Sequence, residues 1–272
     1  MIETFVIEAG HTERQYWRDL WKFRELLYFL AWRDFLIRYK QTVVGIAWAL
    51  IRPFLTMLIL TLVMKVGKLP AGGAPAPLFV FCAMLPWQFF STAMSESGNS
   101  LVNNSNLISK IYFPRLVVPA GSVIVSFVDF LVAAAFLVVL MLYYHFIPPS
   151  QIVFFPFFVL LIFAASLGTG LWIAALTVKY RDFRFIVPFV VQFGLYAAPV
   201  LTMTSHVPEK WRLLYCINPT VGIIDGFRWC ILGGQNTVSQ LELVLSVLVT
   251  TLLVFSGLWY FRKTERTFAD II

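Results

Sequence analysis

The sequence predicts an all-α polytopic membrane protein, and three observations predict it. Of its 272 residues 60% are hydrophobic and only 13% are charged, with a mean hydropathy of +0.81, against roughly 25% charged in a typical soluble domain. The apolar segments are spread along the whole chain and leave no room for a large aqueous domain. Lys and Arg concentrate in alternate connections between those segments, the asymmetry that orients helices across a bilayer.

The opening stretch, 1–17, lacks a basic n-region followed by an apolar core, so no cleaved signal peptide is expected. Over 12–30 the apolar residues Tyr16, Leu20, Phe23, Leu27 and Leu30 recur at alternating steps of four and three, with Trp17 and Trp21 beside them. Arg14, Arg18, Lys22 and Glu25 occupy the other face. This is the pattern of an amphipathic helix lying in the headgroup plane; a helix packed on a protein core has the same spacing. A second charged run, Arg33, Asp34, Arg38, Tyr39 and Lys40, leads into the first span.

Hydropathy predicts about six spans of roughly 20 residues, the length an apolar helix needs to cross ~30 Å of hydrocarbon. They fall near 43–64, 78–101, 116–144, 152–178, 185–203 and 241–261. The first is interrupted by Arg52 and Pro53. The second contains Pro86 and ends in polar residues (Ser91, Thr92, Ser95, Glu96, Ser97, Asn99), and kinks are expected at both prolines. Between the second and third spans, 103–119 mixes a polar entry, a short amphipathic run, two cations and two prolines. It predicts a small helix lying outside the membrane, ended by Pro114, with Pro119 near the start of the next helix.

Between the last two spans, 207–236 is too long for a turn. It contains Trp211, then Asn218 and Pro219, then a short apolar run that holds Asp225 and Arg228 and stops at Gly233 and Gly234. Asp225 and Arg228 at i, i+3 are spaced to pair on one helical face. Two short helices dipping into the outer leaflet, at the mouth of a pathway, fit the rule that irregular backbone at membrane depth must be covered by protein or line a cavity; a solvent-exposed lid is the other reading.

Orientation follows from the cations. With the N-terminus inside, sixteen of the 21 Lys and Arg residues lie on the cytoplasmic side and five, Lys65, Lys68, Lys210, Arg212 and Arg228, lie outside. That selects two cytoplasmic termini and an even number of crossings, and it puts 103–119 in the cytoplasm.

The chemistry is largely one of exclusion. The net charge of +7 clusters beside apolar spans, where it suits anionic headgroups rather than nucleic acid. No GxxxxGK followed by Ser or Thr is present to cradle a nucleotide phosphate. His11, His145 and His206 are scattered without metal-ligand spacing, and no GxSxG elbow occurs. Cys82, Cys216 and Cys230 lack CxxC spacing and read as small buried hydrophobes, with a bridge between Cys216 and Cys230 left open. Ionisable residues inside spans are costly and mark a pathway or a pair. Glu96, Asp129 and Arg52 are the candidates; Arg52 snorkelling to headgroups and Asp129 bonding between helices are equally open. In the fifth span Phe185, Phe189, Phe193 and Tyr196 form one aromatic stripe, suited to sugar rings but also to lipid or helix packing. Ala164, Gly168, Thr169 and Gly170 in the fourth would permit close helix approach.

Four stretches taken together, RDLWKFRELLYFLAWRDFLIRYKQTVVGIAWALIRP, LPWQFFSTAMSESGNSLVNNSNLISKIYFPRLVVP, VKYRDFRFIVPFVVQFGLYAAPV and INPTVGIIDGFRWCILG, resemble the ABC-2 type permeases of bacterial polysaccharide exporters. That group moves O-antigen, teichoic acid or capsular chains, and the likeness to the O-antigen permeases is the strongest. The resemblance implies a six-span half-transporter of the inner membrane that homodimerises and docks two cytoplasmic ATP-binding-cassette ATPases, which would bind the ATP and Mg; the chain itself would carry no cofactor, metal or catalytic residue. An ATPase-independent channel or carrier is the alternative. By the same resemblance the 12–30 segment is an interface helix (Arg14, Trp17, Arg18, Trp21, Lys22). Residues 107–113 form a coupling helix (Leu107, Ile108, Lys110, Ile111, Tyr112, Phe113) seated in the ATPase, and 207–234 carries outer gate helices (Trp211, Asp225, Arg228, Trp229). A lipid-linked polysaccharide would pass between protomers along the first and fifth spans (Trp48, Arg52, Phe185, Phe189, Phe193, Tyr196).

Overall fold

The computed structural model describes residues 13–40, 47–233 and 238–268, apart from the side chains of 13–15, 48 and 49. The expected helix start at Thr12, the side chains of Arg14 and Trp48, and Gly234 therefore lie outside the described residues. Everything described is helix, turn or loop, in the order α1 (Glu13–Lys22), α2 (Arg24–Tyr39), α3 (Trp48–Val66), α4 (Ala76–Asn103), α5 (Ser105–Lys110), α6 (Val117–Tyr143), α7 (Phe155–Lys179), α8 (Phe183–Ala197), α9 (Glu209–Cys216), α10 (Pro219–Leu232) and α11 (Gln240–Glu265).

Among the described residues four helical segments are long and apolar enough to cross a membrane by length and composition: α4, α6, α7 with the 3₁₀ turn before it, and α11. They coincide with the second, third, fourth and sixth predicted spans. The first predicted span becomes the 19-residue α3. The fifth becomes the shorter, 15-residue α8, about 22 Å long at 1.5 Å per residue, because the chain leaves the helix at an extended Ala198 and continues as turn and bend. α3 and α4 run on through Pro53 and Pro86.

The core is in two parts. The larger is built on α4, whose apolar window is 83% buried against 39% or less in the other three segments, so α4 is the axis around which α3, α6, α7, α8 and α10 pack. A smaller core gathers Leu30 of α2, Leu101 of α4, Ile108 of α5, Phe113, Val117 and Val118, the end of α7 (Leu171, Ala174, Ala175, Val178), and Phe261 with Phe268 at the end of α11. Because it collects the N-terminal helices, α5 and the C-terminal end, this smaller core marks the basic end of the bundle.

Small residues set the closest contacts, as their spacing predicts. α7 meets α11 where the Gly168 carbonyl faces Gly257, beside a hydrogen bond of 3.0 Å from Trp172 Nε1 to Ser256 Oγ and a Trp172–Tyr260 stack at 4.3 Å. Gly170 turns toward Ser97 of α4. Cys82, Cys216 and Cys230 are buried and free, so the bridge left open for Cys216 and Cys230 does not form. A Cβ at Gly168 would sit 2.7 Å from the Leu253 and Val254 backbone atoms. Ala is favoured over Gly in a helix by about 1 kcal/mol, but backbone cannot step aside as a side chain can, and overpacking costs about 1–3 kcal/mol. Gly168→Leu is therefore expected to lower the thermal midpoint of the purified protein in detergent by several degrees; an unchanged midpoint contradicts this packing.

Candidate functional site

At the basic end, α5 is a single short helix between two breaks. Asn104 sits outside helical geometry at φ −108, ψ 23, and holds both sides: its N–H and Nδ2 donate to the Ser100 carbonyl, while its own carbonyl accepts from Leu107 and Ile108. At the other side Ile111 is already extended, φ −127, ψ 134, and Pro114 disfavours helix at the residue before it. The helix therefore covers Ser105–Lys110 and not 107–113, so Ile111, Tyr112 and Phe113 belong to the strap that follows. Burial divides the predicted coupling residues. Ile108 and Phe113 are buried anchors in the small core and Leu107 packs beside them, whereas Lys110, Ile111 and Tyr112 face outward, the last two 56% and 58% exposed.

The predicted amphipathic helix is two helices, α1 and α2, joined at Phe23, and α2 runs nine residues beyond the expected end at Leu30. Its apolar stripe faces protein: Tyr16, Leu20, Phe23, Leu27 and Leu30 pack on the small core. Trp17, Arg18, Trp21 and Lys22 remain exposed on the outside. The Tyr16 hydroxyl donates to Glu265 Oε2 at 3.0 Å, and Arg262 lies 4.6 Å over its ring. Burial first, then the Glu265 carboxylate, hold the Tyr16 phenol well above its ordinary range, so it stays protonated and a donor.

The intramembrane charges find a partner that sequence reasoning missed. Arg38 of α2 reaches Glu96 of α4 at 3.0 Å and Asp129 of α6 at 2.5 Å, and Tyr39 donates to the same Asp129 carboxylate. Burial disfavours the Arg38 cation, but the two carboxylates more than offset it and raise its pKa. The signal was present: two acids within apolar spans call for cations, and the run before the first span supplies one. These groups line a cavity of about 380 Å³ together with Arg52, Gln88, Thr92 and the apolar wall of Leu85, Phe89 and Phe130. Arg52 is exposed, and its guanidinium makes no hydrogen bond or ion pair among the described residues.

The aromatic stripe is in place and faces out. Phe185, Phe189, Phe193 and Tyr196 are 54–78% exposed, with Phe189 and Phe193 rings 4.4 Å apart. On the other side α8 docks on α4 through Gly194, which lies against Trp87, and Val187 is its one buried side chain among the described residues. A single chain leaves the stripe uncovered.

At the opposite end, α10 starts on an asparagine cap: Asn218 Oδ1 accepts from the Thr220 N–H and hydroxyl, and Pro219 occupies the first turn, where its missing N–H costs nothing. It stops at Gly233, whose φ of +57 with ψ of −145 suits glycine alone. Asp225 and Arg228 do meet, at 3.5 Å, but they point into the protein: Arg228 is 1% exposed. Its guanidinium donates to the Thr202 and Val200 carbonyls at 3.0 and 2.5 Å and lies 3.8 Å over the Phe79 ring. It thus satisfies carbonyls freed where α8 ends. Trp229 is half-buried against Phe154, and Trp211 of α9 is exposed.

Among the described residues no group of His, Cys, Asp or Glu is placed to hold a metal. The arrangement is that of a helical bundle with one exposed apolar-cationic strap, an uncovered aromatic face and a capped opposite end. Comparison with known proteins agrees with it. The chain is 26% identical over 257 residues to the O-antigen export system permease protein RfbA of Myxococcus xanthus, covering 94% of this chain and 98% of the relative. It is 26% identical over 257 residues to a protein of the same name from Klebsiella pneumoniae, covering 91% and 95%. The profile of ABC-2 type transporters matches residues 25–232, about three quarters of the chain, and the chain belongs to the ABC-2 type transporter family.

Proposed function

We propose that this chain is the transmembrane permease subunit of an ATP-driven exporter that moves a lipid-linked, O-antigen-like polysaccharide across the bacterial inner membrane. The observation that carries the reading is the near end-to-end match to O-antigen export permeases in a chain without a nucleotide-binding loop of its own. In this reading the chain crosses the membrane six times, α3 and α8 supplying the first and fifth crossings, with both termini in the cytoplasm. Two copies form the unit, and two cytoplasmic ATPases bind and hydrolyse the ATP and Mg.

α5 and its strap are the ATPase contact. Ile111 and Tyr112 offer the exposed apolar and aromatic surface typical of interface anchors, while Ile108 and Phe113 tie that surface to the bundle. The polymer passes between protomers along the stripe of α8 and the Trp48 and Arg52 side of α3, where flat apolar rings bind the C–H faces of sugars without fixing a register. α9 and α10 close the outer end, and Arg228 keeps α10 attached to the chain that follows α8. Trp17, Arg18, Trp21 and Lys22 rest in the inner headgroup layer.

Reconstituted in liposomes with its ATPase, the permease exports polymer only when ATP is hydrolysed; export by the chain alone contradicts the reading. Tyr112→Ala removes an interface anchor, a loss of about 2 kcal/mol or more, so ATPase affinity measured by co-purification or titration is expected to fall about thirtyfold, with the permease itself equally stable. Unchanged affinity and export remove the coupling assignment. Phe189→Ala combined with Tyr196→Ala is expected to reduce export several-fold while dimer assembly persists in detergent; loss of assembly instead assigns the stripe to packing.

A further inference from the structure

The polar contacts at the basic end converge on one residue that the proposed function does not use. Glu265 is the last residue of α11. Its Oε2 accepts from the Tyr16 hydroxyl of α1 at 3.0 Å, and its Oε1 accepts from the backbone N–H of Arg115 at 2.9 Å. The Arg115 guanidinium in turn donates to the Glu265 carbonyl. The Arg115 bond is therefore reciprocal, main chain to side chain in each direction, and it fastens the residue immediately after Pro114 to the end of the last span. Tyr16 and Arg115 lie 249 and 150 residues from Glu265, so no local turn accounts for the meeting.

Three features make this more than a surface ion pair. Both carboxylate oxygens are used, and charge-assisted bonds to a carboxylate are the strong class. The cluster is walled by the small core: Phe113 and Leu116 flank Arg115, and beyond Glu265 the chain turns back so that Phe268, fully buried, packs edge-on against Phe261 at 5.4 Å. Arg262, one turn before Glu265, covers the Tyr16 ring at 4.6 Å, so α11 grips α1 twice.

We propose that Glu265 is a three-way clamp that makes the strap after α5, the N-terminal helix α1 and the end of α11 move as one body when the ATPase pushes on α5. This rests on the reading of α5 as the ATPase contact. The physical reason is that the strap, 111–116, is extended and turn-like and would bend under load; without the Arg115–Glu265 bonds, displacement at Ile111 and Tyr112 would be absorbed by the strap instead of reaching α11. Glu265 is a positioning residue in this scheme and touches neither nucleotide nor polymer.

The test uses the assembled permease and ATPase in proteoliposomes, with export and ATP hydrolysis measured on one sample. Glu265→Gln is expected to retain bound ATPase and to hydrolyse ATP within about twofold of the natural protein, while polymer exported per ATP falls about fivefold or more, the scale of lost charge-assisted bonds. Tyr16→Phe, which removes a single oxygen, is expected to lower the same ratio by about twofold to fivefold. Arg115→Cys combined with Glu265→Cys, joined by a flexible thiol-reactive linker, is expected to restore the ratio lost by the unlinked pair. An unchanged export-to-ATP ratio in both single variants, with ATPase bound, overturns the clamp alone; so does a linker that abolishes export, since the segments would then have to separate. Export by the natural permease without any ATPase overturns the clamp together with the reading beneath it.

Discussion

A helix of six residues has no stability of its own in water, since nucleation fixes several residues for the first hydrogen bond and isolated helices below about 12 residues are marginal. α5 persists because Ile108 and Phe113 are buried in the small core. That constraint shapes the basic end: the core that holds α5 must be assembled from α1, α2, α4, α6, α7 and α11, so the proposed ATPase contact and the ends of the long helices share one set of contacts. Burying a Leu, Ile or Phe contributes about 1.5–3 kcal/mol each, more than any exposed ion pair at the same end, so apolar contact decides where α5 sits and the hydrogen bonds decide how rigidly.

Charge obeys the complementary rule inside the bundle. A carboxylate or guanidinium removed from water without a partner is strongly destabilising, and two of the partnered cations inside the bundle also join separate elements. Arg38 joins α2 to α4 and α6, and Arg228 joins α10 to the chain after α8. Arg33 adds a bond of 2.7 Å to Asn104, the residue between α4 and α5. Pairing and connection are thus the same act, and the polar residues of the spans serve assembly before they serve any pathway. Arg52, exposed beside this network and without a described partner, is the cation whose charge remains available.

What could be read from the sequence follows from the range of the forces. Span existence is a sum over about 20 residues of transfer free energy, so the second, third, fourth and sixth spans stand where hydropathy puts them. Local chemistry was equally legible in the Asn218-Pro219 start and Gly233 stop of α10 and in the Asp225–Arg228 spacing, whereas α5 ends at Lys110, three residues before the expected Phe113. The rest depended on partners far along the chain. Nothing near Tyr16 indicates that its stripe is covered by protein, because the cover comes from α5, α7 and α11. Arg38 meets Asp129 91 residues later. Both spacings also fit a lipid-facing helix and a snorkelling cation, and only the fold distinguishes them. The same holds for the gate residues, where i, i+3 geometry was correct but the direction in which Arg228 points was set by the carbonyls left open at Val200 and Thr202.

The position of α4 explains how a small surface at one end can matter at the other. α4 is the most enclosed of the long apolar helices and passes into α5 through the single residue Asn104. It touches α8 through Trp87 against Gly194, and α10 through Phe79 beneath Arg228. Close-packed interiors transmit displacement instead of absorbing it. A shift of α5 that tilts α4 must therefore act on the helix that carries the aromatic stripe and on the helix that caps the opposite end. Gly194 leaves no slack for this: a Cβ there would lie 2.4 Å from the Trp87 ring, so the indole of α4 rests directly on the α8 backbone and α8 follows α4. In the proposed homodimer, with its two stripes facing each other, that coupling would move the walls of the space between protomers without any contact between the proposed ATPase surface and the polymer.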